Sequence, residues 1–293
     1  MTTTPMAEQA FRRPGRSRGL IEIIREPYLT SLIVHKELRQ RYRGSIFGML
    51  WSYAKPAAQF IVLYLALGVF MSLNKEIDKY IVFMFSGIVL INYFSELFGN
   101  ATRSVVGNSA LVQKIYLPRE LFPFSSLWVA IVHFLPQLLI LVVGSIVMGW
   151  RPNLESLAAM VVGFLLITIF GLGVGLAAAA LNVFYRDVEN FVDLILMMAT
   201  WLSPVIYDAH MVRDKALEFG AHWLWYIYQL NPITPAVELF HLAFWEPTLK
   251  DPSGVHLDGV WMWAGLAMLV SVFALVLGEL IFRRLEYKFA QEL

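Results

Sequence analysis

The sequence predicts an all-α polytopic membrane protein with six transmembrane helices, an N-terminal interfacial amphipathic helix and a re-entrant helical hairpin on the outer side. Of its 293 residues, 58% are apolar and only 15% are charged, whereas soluble domains are about 25% charged. Six apolar runs are each long enough to cross a bilayer. The chain has no cysteine, which excludes disulfides and thiolate metal sites. The net charge of +1 favours no class of partner, and we expect no nucleic acid to bind.

The N-terminal region divides into a tail and a helix. Residues 1–19 are rich in Thr, Pro, Gly and Arg, so we expect a flexible basic tail in the cytosol. It is not a signal peptide, because no apolar core follows the arginines. Residues 20–293 form one transmembrane domain that begins with a helix over 26–44, with Pro27 in its first turn. The cations and the apolar residues of this helix fall on different faces, so it either lies in the membrane interface or packs on a protein partner.

Positive charges orient the six spans. An even number of spans places both termini on the same side of the membrane. Sixteen of the 23 Lys and Arg residues fall in segments that are cytosolic if the N-terminus is inside, and six fall in the outer segments. The positive-inside rule therefore predicts a multi-pass protein of the cytoplasmic (inner) membrane with both termini in the cytosol. The predicted spans are 46–73, 80–102, 121–149, 155–181, 188–207 and 260–282.

The long outer segment between the last two spans contains two further apolar pieces. They are Phe219–Leu230 and Ile233–Trp245, separated by Asn231 and Pro232. Each piece is too short to cross the membrane alone. We expect a re-entrant hairpin over 219–245 that enters the outer leaflet and returns, covered by protein or by a water-filled cavity. The alternative is a pair of amphipathic helices that rest on the outer surface.

Two spans carry polar residues that share one helical face. They are Trp51, Lys55 and Gln59 in the first span and Asn92, Glu96, Asn100 and Arg103 in the second. Charged groups within a span cost a few kcal/mol each and usually face a bundle interior or a wet path. These faces either border a polar conduit or form interhelical hydrogen bonds, and Glu96 could pair with Lys55.

Motifs for catalysis and cofactor binding are weak or absent. There is no P-loop and no Gly-Lys pair, so the chain cannot hydrolyse ATP by a P-loop of its own. Gly171, Gly175 and Ala179 repeat every four residues, which is typical of close helix packing in lipid. The six histidines show no metal-ligand spacing, and Glu238-x-x-His241 occurs once, where a di-iron bundle needs two such motifs. We therefore expect no metal, no cofactor and no catalytic residue in this chain.

The segment between the second and third spans, 103–122, is too polar to cross lipid. Ser109 can cap a short helix there, and Pro118 can end it. Such a helix, held on the cytosolic face between two spans, could dock on a separate cytosolic ATPase and receive force from it. The alternative is an ordinary connecting loop.

Five stretches together carry a resemblance to a known family. They are RQRYRGSIFGMLWSYAKP (39–56), LVQKIYLPRELFP (111–123), NVFYRDVENF (182–191), WLSPVIY (201–207) and NPITP (231–235). The chain resembles the membrane subunit of the type 2 ABC transporters that export polysaccharides, which include O-antigen, teichoic acid and galactan exporter permeases. The resemblance runs from about Leu20 to the C-terminus and leaves out only the basic tail.

The resemblance implies a homodimer with a pathway between the subunits, embedded in membrane lipid. It implies two copies of a separate cytosolic ABC ATPase subunit, which binds ATP and Mg²⁺. The region 103–122 would then be the coupling segment, and 219–245 would be an outer gate. The substrate would be a polysaccharide linked to a polyprenyl phosphate or pyrophosphate, with the identity of the glycan left open.

Three groups of site residues follow from this resemblance and from the residues themselves. The expected ATPase contacts are Leu111, Gln113, Lys114, Tyr116, Leu117, Arg119, Arg186 and Asp187. The expected substrate path is Trp51, Lys55, Gln59, Asn92, Tyr93, Glu96, Asn100, Trp201 and Tyr207. Our own inference adds basic residues near the entry that could attract the substrate phosphate, namely Arg39, Arg41 and Arg43.

Two other functions stay open at this point. A small-lipid or drug exporter permease would share the architecture, and the aromatic residues within the spans disfavour it only mildly. An integral-membrane enzyme acting on polyprenyl-linked substrates would need clustered carboxylates or histidines. Its best candidates, Asp187, Glu189 and Asp193, have no histidine nearby in the sequence.

Overall fold

A computed structural model describes residues 19–20, 23, 27–115, 117–251, 257 and 259–293. Within these ranges the chain is helical and contains no strand. Its helices are α1 (Pro27–Tyr42), α2 (Trp51–Leu63), α3 (Leu73–Glu76), α4 (Tyr80–Gly107), α5 (Ser109–Lys114), α6 (Leu121–Val147), α7 (Leu154–Phe184), α8 (Asp187–Trp201), α9 (Ala209–Glu218), α10 (His222–Leu230), α11 (Ile233–Phe240), α12 (Val260–Leu285) and α13 (Phe289–Glu292). Five short turns extend or join them. These are 3₁₀ turns at Gly48–Leu50, Glu246–Thr248 and Glu286–Lys288 and π-helical turns at Tyr64–Phe70 and His241–Trp245.

Five of the six predicted spans coincide with helices that are long and apolar enough to cross a membrane. In the described part of the chain these five are Gly48–Phe70, Tyr80–Gly107, Leu121–Val147, Leu154–Phe184 and Val260–Glu292. The polar end of the second span continues as helix beyond the apolar run, so α4 reaches Gly107 where 102 was predicted.

The fifth predicted span, 188–207, is a shorter helix than expected. α8 covers 15 residues, or about 22 Å at 1.5 Å per residue, which is less than the hydrocarbon core of about 30 Å. The helix stops at Trp201 and buried turns follow, because the residue before Pro204 is disfavoured in the helical region. A sixth crossing therefore remains a proposal, since it would need the non-helical residues after α8.

α4 is the central helix of the bundle. It contacts α6, α7, α8 and α11, and residues such as Met84, Leu90 and Leu97 on it are fully buried. Lipid tails are as apolar as these side chains, so close packing, rather than transfer out of water, stabilises the bundle. By contrast α2 exposes most of its side chains, which leaves it weakly attached to the rest of the chain.

Small residues bring α7 close to its neighbours. The predicted packing of Gly175 is confirmed, because a Cβ placed there would lie 2.8 Å from the Cβ of Ala101 on α4. The closest contact is with α12, where a Cβ on Gly278 would collide with the carbonyl oxygen of Gly173. The backbones of α7 and α12 touch at this point, and only glycine leaves enough space.

Replacing Gly278 with alanine should therefore loosen the bundle. We expect a loss of roughly 1–3 kcal/mol in the free energy of unfolding, the usual cost of overpacking, measured as a lower unfolding midpoint of the purified protein in detergent. The matched control is Gly265→Ala on the same helix, where a Cβ would meet no heavy atom within 4 Å. Equal losses in the two variants would contradict the close contact.

The predicted outer hairpin appears as two short helices that meet at Asn231 and Pro232. α11 and the turn after it are buried and contact α7 and α4. α10 instead exposes Trp223 and Ile227. The two-helix geometry fits the predicted hairpin, but its entry into the outer leaflet stays a proposal.

An ion pair caps α9 next to this hairpin. The Asp208 side chain accepts a hydrogen bond from the backbone N–H of His210 at 2.8 Å and another from its ring Nδ1 at 2.7 Å. Burial raises the pKa of Asp208, but these hydrogen bonds outweigh it and lower the pKa below its usual value. The hydrogen bond that His210 donates to the Asp208 side chain in turn raises the pKa of His210, against the opposing effect of burial.

This pair should make stability depend on pH. Because the folded pKa of His210 is raised, its stabilisation is complete below the unfolded pKa of about 6.5 and is lost as pH rises through the folded value. We expect the unfolding midpoint of the wild type to decrease as the pH is raised from about 6 to about 9. The decrease should be smaller in His210→Asn. Identical pH profiles for the two proteins would exclude this contribution.

A second apolar cluster lies where α5 joins the bundle. It contains Leu20 and Ile23 from the N-terminal region, Val112 from α5, Val183 from α7 and Phe289 from α13. Segments from both ends of the chain are thus packed around the short helix between the second and third spans.

Candidate functional site

A chain of hydrogen bonds links four helices around Glu96. The ring Nδ1 of His133 on α6 donates to the Glu96 carboxylate at 2.5 Å. The Tyr42 hydroxyl at the end of α1 lies 2.5 Å from His133 Nε2 and 2.6 Å from the hydroxyl of Ser52 on α2. The carboxylate can only accept a hydrogen bond. Nδ1 of His133 therefore carries the proton, and its Nε2 accepts from the Tyr42 hydroxyl. We call these four residues, together with Arg41, the Glu96 network.

Arg41 completes the Glu96 network from the N-terminal helix. Its guanidinium donates to Glu96 at 2.5 Å, and Asn100 donates to the same oxygen at 3.2 Å. Glu96 is 17% exposed and His133 only 1% exposed, so the carboxylate lies inside the bundle, whereas the Arg41 side chain is 42% exposed. Arg41 is paired with this carboxylate, which weakens its predicted role in attracting phosphate. Arg39 and Arg43 are also exposed.

The structure gives Glu96 two partners that the sequence did not predict. Arg41 and His133 pair with Glu96, and the side chain of Lys55 lies outside the described residues. The predicted polar face of the second span also divides. Arg103 turns toward α8, where it donates to Glu189 at 2.5 Å and to Asp193 at 2.6 Å, so it shares no partner with Glu96.

Three predicted path residues line one cleft beside α2. The cleft has a volume of about 580 Å³ and lies between α2, α4 and α8. Gln59, Asn92 and Trp201 line it, and so do Ser95 and Thr200, which sequence reasoning missed. Apolar residues of the three helices make up the rest of its wall.

Other predicted path residues lie elsewhere. Tyr93 is buried in the bundle, where its ring packs against Phe134 and Phe164, so we leave it out of the proposed path. Trp51 is exposed at the start of α2. Tyr207 is half-buried and its hydroxyl donates to the carbonyl of Trp201 at 2.9 Å.

A short helix is present in the segment that was predicted to dock, with different ends from those expected. α5 spans Ser109–Lys114, so Ser109 is its first residue and not its cap. Asn108 precedes it, and its side chain donates to Glu37 and to the carbonyl of Ser104. The helix stops well before Pro118 because Ile115 is already extended, with φ −127° and ψ 134°.

The exposure of the predicted ATPase contacts divides them into two groups. Gln113 and Lys114 are exposed, as are Arg186 and Asp187 at the start of α8. Leu111, Leu117 and Arg119 are only half-exposed, and both leucines pack against the second apolar cluster. Tyr116 lies outside the described residues. The exposed residue that sequence reasoning missed is Ile115, at 51% exposure.

His133 is the clearest functional candidate that sequence reasoning overlooked. A signal was present, because His133 and Gln137 are polar residues four apart in a strongly apolar run, the same spacing that marked Asn92 and Glu96. The two pairs contact each other between the helices. His133 donates to Glu96, and the side-chain nitrogen of Asn92 lies 3.5 Å from the side-chain oxygen of Gln137. No group of three or more His, Asp or Glu residues in the described part of the chain could hold a metal ion.

Comparison with known proteins decides the family. The profile of the ABC-2 type transporter family matches residues 28–245, which is most of the chain and includes α1, the docking helix and the hairpin. The chain belongs to the ABC-2 type transporter family. This confirms the resemblance found in the sequence, and it makes the chain a membrane subunit of that family.

The relatives agree with the resemblance in more detail. An O-antigen export system permease protein RfbA of Klebsiella pneumoniae is 26% identical over 263 residues, covering 90% of this chain and 94% of the relative. The RfbA of Myxococcus xanthus is 27% identical over 236 residues, covering 79% and 87%. The polysialic acid transport protein KpsM of Escherichia coli is 19% identical over 238 residues, covering 81% and 88%.

Proposed function

We propose that the chain is the permease subunit of an ATP-driven exporter that moves a lipid-linked polysaccharide across the cytoplasmic membrane. The observation that carries this proposal is the family match over residues 28–245, combined with relatives along most of the chain that are named as exporters of O-antigen and polysialic acid. These names concern long glycans rather than small amphiphiles, which favours polysaccharide over the small-lipid or drug alternative.

The chain works as a homodimer, with the substrate path between the two copies. α2 and α8 expose apolar side chains such as Val62 and Met197 beside the cleft that contains Gln59 and Asn92. A second copy placed against these helices would cover the apolar surface and close the cleft. Exposed apolar patches of this kind commonly mark interfaces, although lipid also covers them in membrane proteins.

A separate cytosolic ABC ATPase, in two copies, drives transport and holds ATP and Mg²⁺. α5 and the start of α8 present the exposed residues Gln113, Lys114, Ile115 and Arg186. Val112 of α5 and Val183 at the end of α7 belong to one buried cluster, so force on α5 would reach α7 and the bundle directly. Both termini and this surface would lie in the cytosol, as the positive charges predict.

The lipid carrier's phosphate is attracted by the exposed arginines of the entry region. The side chains of Arg39 and Arg43 are exposed, so their charges can face solvent or lipid headgroups. Arg41 is instead paired with Glu96. The cations of a helix at the cytosolic surface favour anionic groups nearby. We therefore expect Arg39 and Arg43 to act in substrate capture and Arg41 to act in the Glu96 network.

Deleting the gene tests the proposal against the enzyme alternative. We expect the cell to keep synthesising the lipid-linked glycan, to accumulate it on the inner side and to lose it from the surface. Loss of synthesis itself would support an enzyme and contradict the exporter. The enzyme alternative loses support from the geometry, because two of its three candidate carboxylates, Glu189 and Asp193, are paired with Arg103.

The substrate class is tested with the purified complex. The ATPase rate should respond to lipid-linked glycans more strongly than to small amphiphiles at matched concentrations. A rate that responds to small amphiphiles alone would favour the small-lipid or drug exporter.

A further inference from the structure

The C-terminal segment folds back against the docking helix. The turn Glu286–Lys288 follows α12, and α13 then contacts both α5 and α7. Phe289 is fully buried, and its ring packs edge-on against Phe282 with centroids 5.2 Å apart and against Phe184 at 6.1 Å. This end of the chain therefore has a fixed position beside α5.

Arg119 ties the two segments together. It lies between α5 and α6, donates a hydrogen bond to the backbone carbonyl of Glu286 and sits 5.9 Å above the ring of Phe289. The second contact is a cation–π interaction, which is stronger where water is excluded. Arg119 was expected to contact the ATPase, but its guanidinium is engaged by the C-terminal segment of its own chain.

The residue next to this attachment is exposed. Tyr287 is 61% exposed, compared with 51% for Ile115 at the end of α5 and 67% for Tyr185 just before α8. The ammonium of Lys288 lies 5.6 Å from the ring of Tyr287. Exposed aromatic residues are enriched in the energetic centres of protein interfaces.

Exposed cations lie beside the exposed apolar and aromatic residues of this surface. Lys114, Arg186 and Lys288 are all exposed, one from each of the three segments. A partner with an acidic rim around apolar pockets would be complementary to this set. The contact between α13 and α5 makes the surface continuous with the docking helix.

We propose that the C-terminal segment 286–292 is a third element of the ATPase docking surface, with Tyr287 in contact with the ATPase and Arg119 as the positioning residue that holds the segment against α5. This proposal rests on the proposed function, because it requires that α5 docks on an ATPase. It adds a contact at the C-terminus, on Tyr287, that the sequence did not predict.

Site-specific cross-linking tests the contact. Because the chain contains no cysteine, each introduced cysteine is the single thiol of the chain. Single cysteines replace Tyr287, Ile115 and, as a control, Phe219, an exposed residue of the outer segment. Each variant is co-expressed with its ATPase, purified as the intact complex and labelled with a thiol-reactive photo-cross-linker. We expect a covalent adduct with the ATPase from Tyr287→Cys and from Ile115→Cys, and none from Phe219→Cys.

The outcomes separate this proposal from the proposed function. An adduct from Ile115→Cys alone, with Tyr287→Cys giving only lipid adducts or none, would overturn the third element and leave the docking role of α5 intact. Lipid adducts from Tyr287→Cys would show that this position lies at the membrane interface instead. Adducts from neither position would overturn both.

The role of Arg119 has its own readout. Arg119→Met, which keeps the length but removes the hydrogen bond and the charge, should lower the adduct yield at Tyr287→Cys about fivefold, the change produced by a loss of about 1 kcal/mol. Arg119→Lys, which keeps a cationic donor, should restore much of the yield. The adduct at Ile115→Cys serves as the internal standard. An unchanged yield at Tyr287→Cys in Arg119→Met would remove Arg119 from the proposal.

Discussion

Replacing Glu96 with leucine is expected to lower export roughly tenfold or more, equivalent to about 1.4 kcal/mol or more in the rate-limiting step, while the helix bundle stays folded. Glu96 is the residue through which α1, α4 and α6 share one set of hydrogen bonds, and Tyr42 extends that set to Ser52 on α2. Without the carboxylate, α1 loses the ion pair between Arg41 and α4, and His133 loses the acceptor that orients its ring toward Tyr42. We measure export in membrane vesicles that contain the complex.

The effect on stability should be smaller than the effect on export. Removing one member of a buried ion pair usually costs about 3–5 kcal/mol when the other charge stays buried. Here the Arg41 side chain is 42% exposed, so it can turn toward water or headgroups once the carboxylate is gone. The main apolar cluster, built on α4, does not depend on Glu96.

Glu96→Gln is the matched control for this substitution. The amide keeps an acceptor for His133 and Arg41 but removes the charge, so we expect export between that of the wild type and that of Glu96→Leu. If Glu96→Leu instead yields little folded protein, yet each folded molecule transports at the normal rate, the Glu96 network has only a structural role.

Replacing Ile115 with aspartate is expected to weaken binding of the ATPase about thirtyfold, which corresponds to the loss of roughly 2 kcal/mol typical of an interface hot spot. Ile115 is exposed in extended backbone directly after α5. Burying it against a partner would be favourable, and a carboxylate in its place would be buried without a partner. The measurement is the amount of ATPase that co-purifies with the chain from detergent.

The control for Ile115→Asp is an equally polar change on another exposed apolar residue. Phe219→Asp in the outer segment alters a side chain that is even more exposed but lies far from α5 in the proposed topology. It should leave ATPase binding unchanged. Equal retention of the ATPase in both variants would remove Ile115 from the docking surface.

The sequence predicted the elements whose signal is local. Hydropathy located five spans to within a few residues, because each is a continuous apolar helix. The repeat of Gly171 and Gly175 predicted close packing correctly, since small residues at helical spacing allow backbones to approach. The polar region after the second span predicted a short helix, and α5 is present.

Signals that depend on long-range contacts were beyond reach. Helical spacing places Glu96 on a face but does not identify the residues opposite it, so only Lys55 was named as a possible partner and His133 was overlooked. Arg119 looked like a free surface cation, because its partner lies 167 residues away at Glu286. Hydropathy also cannot distinguish helix from buried turns. The predicted span therefore ran to 207, where the apolar run ends, although α8 itself ends at Trp201.

The most direct test of the account is the composition of the assembled transporter. The chain is co-expressed with the ABC ATPase encoded beside it, purified in detergent and weighed intact by native mass spectrometry, with ATP hydrolysis measured on the same sample. The account predicts a complex of two copies of this chain and two ATPase subunits that hydrolyses ATP. A chain that purifies alone, with no bound ATPase and no associated hydrolysis, would contradict the docking role of α5 and the proposed mechanism of export.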